Sequence, residues 1–189
     1  MLEESRQRVK AKLGLVRSVE KNVRTRSELL RDIWEVAVAH TGDPILVDFL
    51  ADLIDVYQVP ARDSVALAKA VQDYSVNHIK FFREFPERIA SPMRTIAWGL
   101  GDCDDKTVFV ASSLRTFRIP VRLTELLLQY KGRRFGHIYP EAYLGHRWIV
   151  IESVRPYPWG HDPSVVARER SLLVDMKRFG DKPDGGAHG

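Results

Sequence analysis

Residues 99–123 read GLGDCDDKTVFVASSLRTFRIPVRL and hold the only cysteine of the chain, Cys103, between a glycine turn and two aspartates. A thiol at the start of a helix meets unpaired N–H groups and the positive end of the helix dipole. Both favour the thiolate, and the same amides can hold an oxyanion. Asp102, Asp104 and Asp105 push the other way, because neighbouring negative charge disfavours a thiolate. A nucleophile here therefore needs a base. The candidates are His137 and, fifteen positions on, Glu152. If Gly145-His146 is a two-residue turn, Leu144 pairs with Arg147 and Tyr139 comes opposite Glu152. His137 and Glu152 are then diagonal neighbours on one face, where a carboxylate can fix the tautomer of an imidazole. A three-residue turn would put them on opposite faces. The alternative is plain: a small apolar side chain at Cys103, a strand-end histidine at His137 and a solvated carboxylate at Glu152.

Other chemistry is weighed on the same residues. Three aspartates could hold a hard divalent cation, but Asp102 as a helix cap, with acids complementing the dipole, accounts for them more simply. Further ligands of the usual type and spacing to complete a zinc site with Cys103 and His137 are absent. No metal and no organic cofactor is expected. Trp98 is the aromatic residue best placed to border a cleft or donate its indole N–H to an oxyanion, with Asp102 beside it, although aromatics near a sheet are more often core.

The elements that must position these groups follow from periodicity. Residues 2–39 carry an amphipathic pattern of one or two helices, stopped by Thr41-Gly42-Asp43-Pro44. Residues 45–57 repeat apolar side chains every three and four positions, and a further helix runs from about residue 61 to about residue 82. A proline-punctuated loop at 84–91 leads to the glycine turn. A helix then starts at Cys103 and ends at Ile119-Pro120. Strands follow at 121–130, 137–144 and 148–153, with turns at Lys131-Gly132 and Gly145-His146. Helices first and an antiparallel meander after imply an α+β fold: a helical N-terminal half, and the Cys103 helix packed on a small antiparallel sheet. The division expected is an N-terminal helical extension at 1–60, a core at 61–162, and a C-terminal helix or extended segment with a flexible tail at 163–189, polar and glycine-rich from Gly180.

Composition narrows the class. With 44% hydrophobic and 29% charged residues the 189-residue chain is an ordinary globular protein. The N-terminus is charged from its third residue, with no apolar run for a signal peptide or membrane helix, and one cysteine cannot form an internal disulfide. A cytoplasmic protein is expected. The net charge of +4 is spread among interleaved acids rather than in a basic block, which argues against nucleic acid as partner.

GDCDDKTVFVASSLRTFRIPVRL followed by GHIYPEAYLGHRWIVIES resembles the transglutaminase-like superfamily of papain-related cysteine enzymes. Its core carries GDCDD before a helix, a GIP-type break, a histidine strand and an Asp strand. Upstream, YSVNHIKFFREFPERIASPMRTI is similar to the segment preceding the cysteine in phage and prophage members. The resemblance spans roughly residues 65–160. It implies Cys103 as nucleophile, His137 as general base and acid, and Glu152 as the orienting carboxylate, where the family usually has Asp. Arg118 stands where a glycine is common before Ile-Pro. The chemistry implied is acyl transfer through a thioester on a protein or peptide substrate, by hydrolysis or by cross-linking. The alternative implied is a phage virion or morphogenesis protein, with the fold as an assembly module in a head, connector or tail. Its N-terminal helices and C-terminal tail would then dock to virion or oligomer partners.

Overall fold

Short polar residues set the helix starts in the computed structural model, which describes residues 1–15, 20–22, 26–83, 88–130, 133–162 and 167–174. Asp43 accepts from Ile45 N to open α3 (Pro44–Val56), with Pro44 in the first turn. Asp63 accepts from Ala66 N to open α4 (Ser64–His78). Ser91 and Pro92 open α5 (Pro92–Trp98), which Gly99 closes in the left-handed conformation at φ +61°. Asp102 opens α6 (Cys103–Thr116) through a reciprocal capping box with Asp105. Before these, α1 spans Leu2–Lys12 and α2 Arg26–Ala39.

Every residue of α6 from Asp104 to Arg115 is buried, so this helix is the axis of the fold. Around it an aromatic cluster of Phe49, Tyr74 and Phe109 packs at centroid distances of 4.9, 6.3 and 5.6 Å. Val9 of α1 and Ile33 and Trp34 of α2 join the same core as Val108 and Phe109. The N-terminal helices thus share their apolar faces with the cysteine helix.

On the other side lies a four-stranded antiparallel sheet in the order β7-β6-β5-β8, formed by β5 (Val121–Tyr130), β6 (Arg133–Leu144), β7 (Arg147–Val150) and β8 (Ala167–Val174). Four two-residue strands tie loops together: β1 (Lys21–Asn22) pairs with β3 (Arg88–Ile89), and β2 (Lys80–Phe81) pairs in parallel with β4 (Leu100–Gly101).

The α+β architecture is the one expected. Several boundaries differ. The helix expected to reach residue 82 ends at His78, because Ile79 turns extended and the chain pairs with β4. The second strand of the meander begins at Arg133, since β6 pairs with the whole length of β5; His137 is interior to it rather than its first residue. The third ends at Val150, so Glu152 lies just past a strand rather than in one. Part of the C-terminal segment supplies a fourth strand, β8, covering the edge that β5 would otherwise expose. The turn at Lys131-Gly132 and the tail from Gly180 lie outside the described residues.

Arg118, where a glycine is common in the family the sequence resembles, adopts φ +60°. A side chain in that region costs roughly 1–3 kcal/mol, partly offset by the greater unfolded-state freedom of glycine. Arg118→Gly is expected to stabilise the protein by about 1 kcal/mol, a Tm rise of roughly 2–4 °C in a thermal melt. A lower Tm would show that the exposed arginine contributes more than the strain it carries.

Candidate active site

The capping box that starts α6 also fixes Cys103. Asp102 Oδ1 accepts from Asp104 N at 3.0 Å and Asp105 N at 3.4 Å, and Asp105 Oδ2 accepts from Asp102 N at 3.3 Å. The other oxygen of Asp105 accepts from Ala90 N at 2.7 Å, tying the preceding loop to the same helix start. Gly101 is required by contact: a Cβ there would lie 2.9 Å from Asp105 Cβ. Lys106 N bonds to Asp102 O. Among the described residues, the Cys103 N–H is the amide of this first turn left without a hydrogen-bond partner.

Strand β6 is laid against this turn. Thr107 Oγ1 donates to Ile138 O at 3.2 Å, and Ile138 N–H lies against the Cys103 sulfur. Cys103 and Thr107 are one helical turn apart, so one face of α6 grips both backbone groups of the residue after His137. No hydrogen bond joins thiol and imidazole in this resting arrangement; Cys103 Sγ instead lies 3.3 Å from Asp104 Oδ1.

The hairpin has the register that brings His137 and Glu152 together. Gly145 and His146 both have positive φ, the signature of a two-residue type I′ turn, and Leu144 pairs with Arg147. Ile151 N still bonds to Pro140 O beyond the end of β7. His137 Nε2 and Glu152 Oε2 are 2.7 Å apart, with Glu152 1% exposed. Glu152 Oε1 accepts from Val154 N at 2.8 Å and Arg155 N at 3.3 Å, which turns the chain out of the sheet.

Electrostatics act in opposite directions on Cys103 and Glu152. Burial pushes the Cys103 thiol well above the ordinary cysteine range, and the charges of Asp104 and Asp102 push the same way; Ile138 N–H pulls partly back. Burial, with the acidic neighbours, therefore outweighs the helix start in the resting state. Burial raises the Glu152 carboxyl too, but the bond to His137, its charge, and the two backbone N–H groups outweigh that and leave it below its usual range.

Beneath the pair lies a polar layer that the sequence reading did not single out. Gln72 Nε2 donates to Glu152 O at 3.0 Å, Ser75 Oγ donates to Ser153 O at 3.0 Å, and Lys106 Nζ donates to Ser75 O at 2.8 Å. Lys106 is 1% exposed, and burial lowers its pKa to about 8 against the opposing pull of Glu152. The available signal was polar residues on helix faces otherwise filled by Ala68, Val71 and Thr107.

The remaining candidates fall as follows. The carboxylate of Asp102 is engaged as the cap, and although Asp102, Cys103 and Asp104 place three ligand atoms within 4.8 Å, their contacts are those of the helix start. Trp98 ends α5, half-exposed, with Lys10 Nζ 4.9 Å from its ring centroid.

A family model described as the transglutaminase-like superfamily matches residues 55–153. A crystal structure of a candidate cysteine protease from Cytophaga hutchinsonii is similar with a TM-score of 0.50 at 16% identity, covering 74% of this chain and 51% of that one. At this identity the likeness is one of fold, and the chain spans about half the length of that protein. No curated protein matches the chain.

Proposed function

Because the chain belongs to the transglutaminase-like superfamily, we propose that it is a cysteine acyl-transfer enzyme acting as a peptidase or amidase, with Cys103, His137 and Glu152 as its triad. The observation that carries this is the 2.7 Å bond between His137 and buried Glu152, on a strand whose next amide lies against the Cys103 sulfur. Residues 61–162 hold all three side chains.

The geometry supports the following steps. Glu152 engages Nε2 of His137, so Nδ1 is the nitrogen that takes the thiol proton. The resting thiol is protonated, and proton transfer accompanies attack: the S–C bond forms as Nδ1 accepts the proton. The oxyanion is received by the N–H of Cys103, with Trp98 at the edge of the same region as a second candidate donor. Collapse breaks the C–N bond, and the imidazolium gives its proton to the departing amine. Water, activated by the same nitrogen, then hydrolyses the thioester.

Two probes test this. With p-nitrophenyl acetate, the wild type is expected to carry acetyl on Cys103 after acid quench, and His137→Ala to carry none. With iodoacetamide, the wild type is expected to alkylate slowly at neutral pH. Asp104→Asn, by removing a charge that holds the thiol up, is expected to alkylate faster there, because a lower thiol pKa leaves more thiolate. Equal, negligible acylation of wild type and His137→Ala would instead support the non-catalytic reading, a virion assembly module.

A further inference from the structure

Four of the large apolar side chains left exposed are gathered beside the glycine turn: Phe81 at 56%, Phe82 at 50%, Trp98 at 52% and Leu100 at 39%. The parallel pairing of β2 with β4 brings the first two alongside Leu100, and Trp98 stands two residues before it. An apolar patch of this kind on a protein surface marks a binding site more often than a packing accident. Phe82, Trp98 and Leu100 wall a cavity of about 220 Å³ floored by Ala90, Gly101 and Asp105. Whole small-molecule sites run to roughly 300–1,000 Å³, so this one suits a single side chain.

Resting on the reading of Cys103 as nucleophile, we infer that this pocket receives a bulky apolar side chain, aromatic or branched aliphatic, of the peptide presented to Cys103. Position is the first reason. Gly101 is two residues before Cys103, so their Cα atoms are at most about 7.6 Å apart, the reach of about two residues of an extended peptide. Charge is the second. The Asp105 carboxylate in the floor accepts from Ala90 N and Asp102 N, and Arg94 at the margin lies 3.6 Å from Glu20. The polar groups are thus engaged within the protein, and the exposed walls are hydrocarbon and ring. Rigidity is the third. The Gly99 cap, the Gly101–Asp105 contact and the bond from Ala90 hold the floor, and Lys10 covers one part of the Trp98 ring. A preformed pocket lowers the ordering cost of binding.

The test uses N-acetylated, C-amidated glycine pentapeptides carrying one Phe, Leu, Asp or Lys at each position in turn. Binding to Cys103→Ala is followed by calorimetry and by the indole N–H resonance of Trp98, assigned with Trp98→Phe. At one position the Phe and Leu peptides are expected to bind at least about tenfold tighter than the Gly, Asp and Lys peptides and to shift the Trp98 resonance. Leu100→Ser is expected to bring that ratio toward one. Equal affinities, or a preference that leaves the Trp98 resonance unmoved, would overturn the pocket. Turnover of the same peptides by the wild type is a separate readout. Selective binding without hydrolysis would count against the catalytic reading and leave the pocket standing.

Discussion

Glu152→Gln is expected to lower acylation of Cys103 by about 10³–10⁴-fold, the scale seen when a triad carboxylate becomes an amide. The reason is a forced tautomer. Glu152 Oε1 accepts from Val154 N and Arg155 N, a position where an NH₂ group would face two donors. The glutamine carbonyl must therefore stay there, and its amide nitrogen points at His137 Nε2 and donates to it. The imidazole proton then moves to Nδ1, the nitrogen that should receive the thiol proton, and the base is lost while the fold is kept. Glu152→Asp retains a carboxylate and the productive tautomer, so its loss is expected to be much smaller. Single-turnover acylation by p-nitrophenyl acetate measures the rates, and imidazole ¹⁵N shifts of His137 report the tautomer. A fall of less than tenfold in Glu152→Gln, with Nε2 still protonated, would show that Glu152 does not orient the histidine.

The hairpin that makes this argument possible was legible because a two-residue turn at Gly145-His146 sets the parity of every position after it. The Asp102 cap was legible for a similarly local reason, since a cap needs only its own first turn. Strand β8 was not: its sequence, ARERSLLV, pairs because β5 offers an open edge, a fact of tertiary structure. Nor was the balance at Cys103, where helix start and aspartates oppose each other and burial of the sulfur tips the outcome toward the thiol. The layer of Gln72, Ser75 and Lys106 is of the same kind: Gln72 and Ser75 have partners on the 152–153 segment 80 and 78 positions distant, and Lys106 joins through Ser75, 31 positions away.

Lys106 gives the second large effect, in stability rather than rate. Its ammonium is buried and bonded to Ser75 O, and desolvation lowers its pKa from 10.5 to about 8, with the charge of Glu152 limiting the fall. Below pH 8 both the folded and unfolded states carry the proton, and folding bears the whole cost of the buried charge. Between pH 8 and 10.5 the unfolded chain binds the proton more tightly, so stability rises with pH across that window and the cost is gone above it. The difference corresponds to about 3 kcal/mol at roughly 1.4 kcal/mol per pKa unit. Lys106→Met fills similar volume without the charge. Its stability relative to the wild type is therefore expected to fall by about 3 kcal/mol between pH 7 and pH 10.5, read from paired urea titrations in which the other titrating groups cancel. A difference that stays constant with pH would show that the ammonium is not buried as described. Because Glu152 is the charge that holds Lys106 up, Glu152→Gln is expected to start the same rise at lower pH. That coupling would tie a destabilising residue, three positions from Cys103 on the same helix face, to the carboxylate bonded to His137.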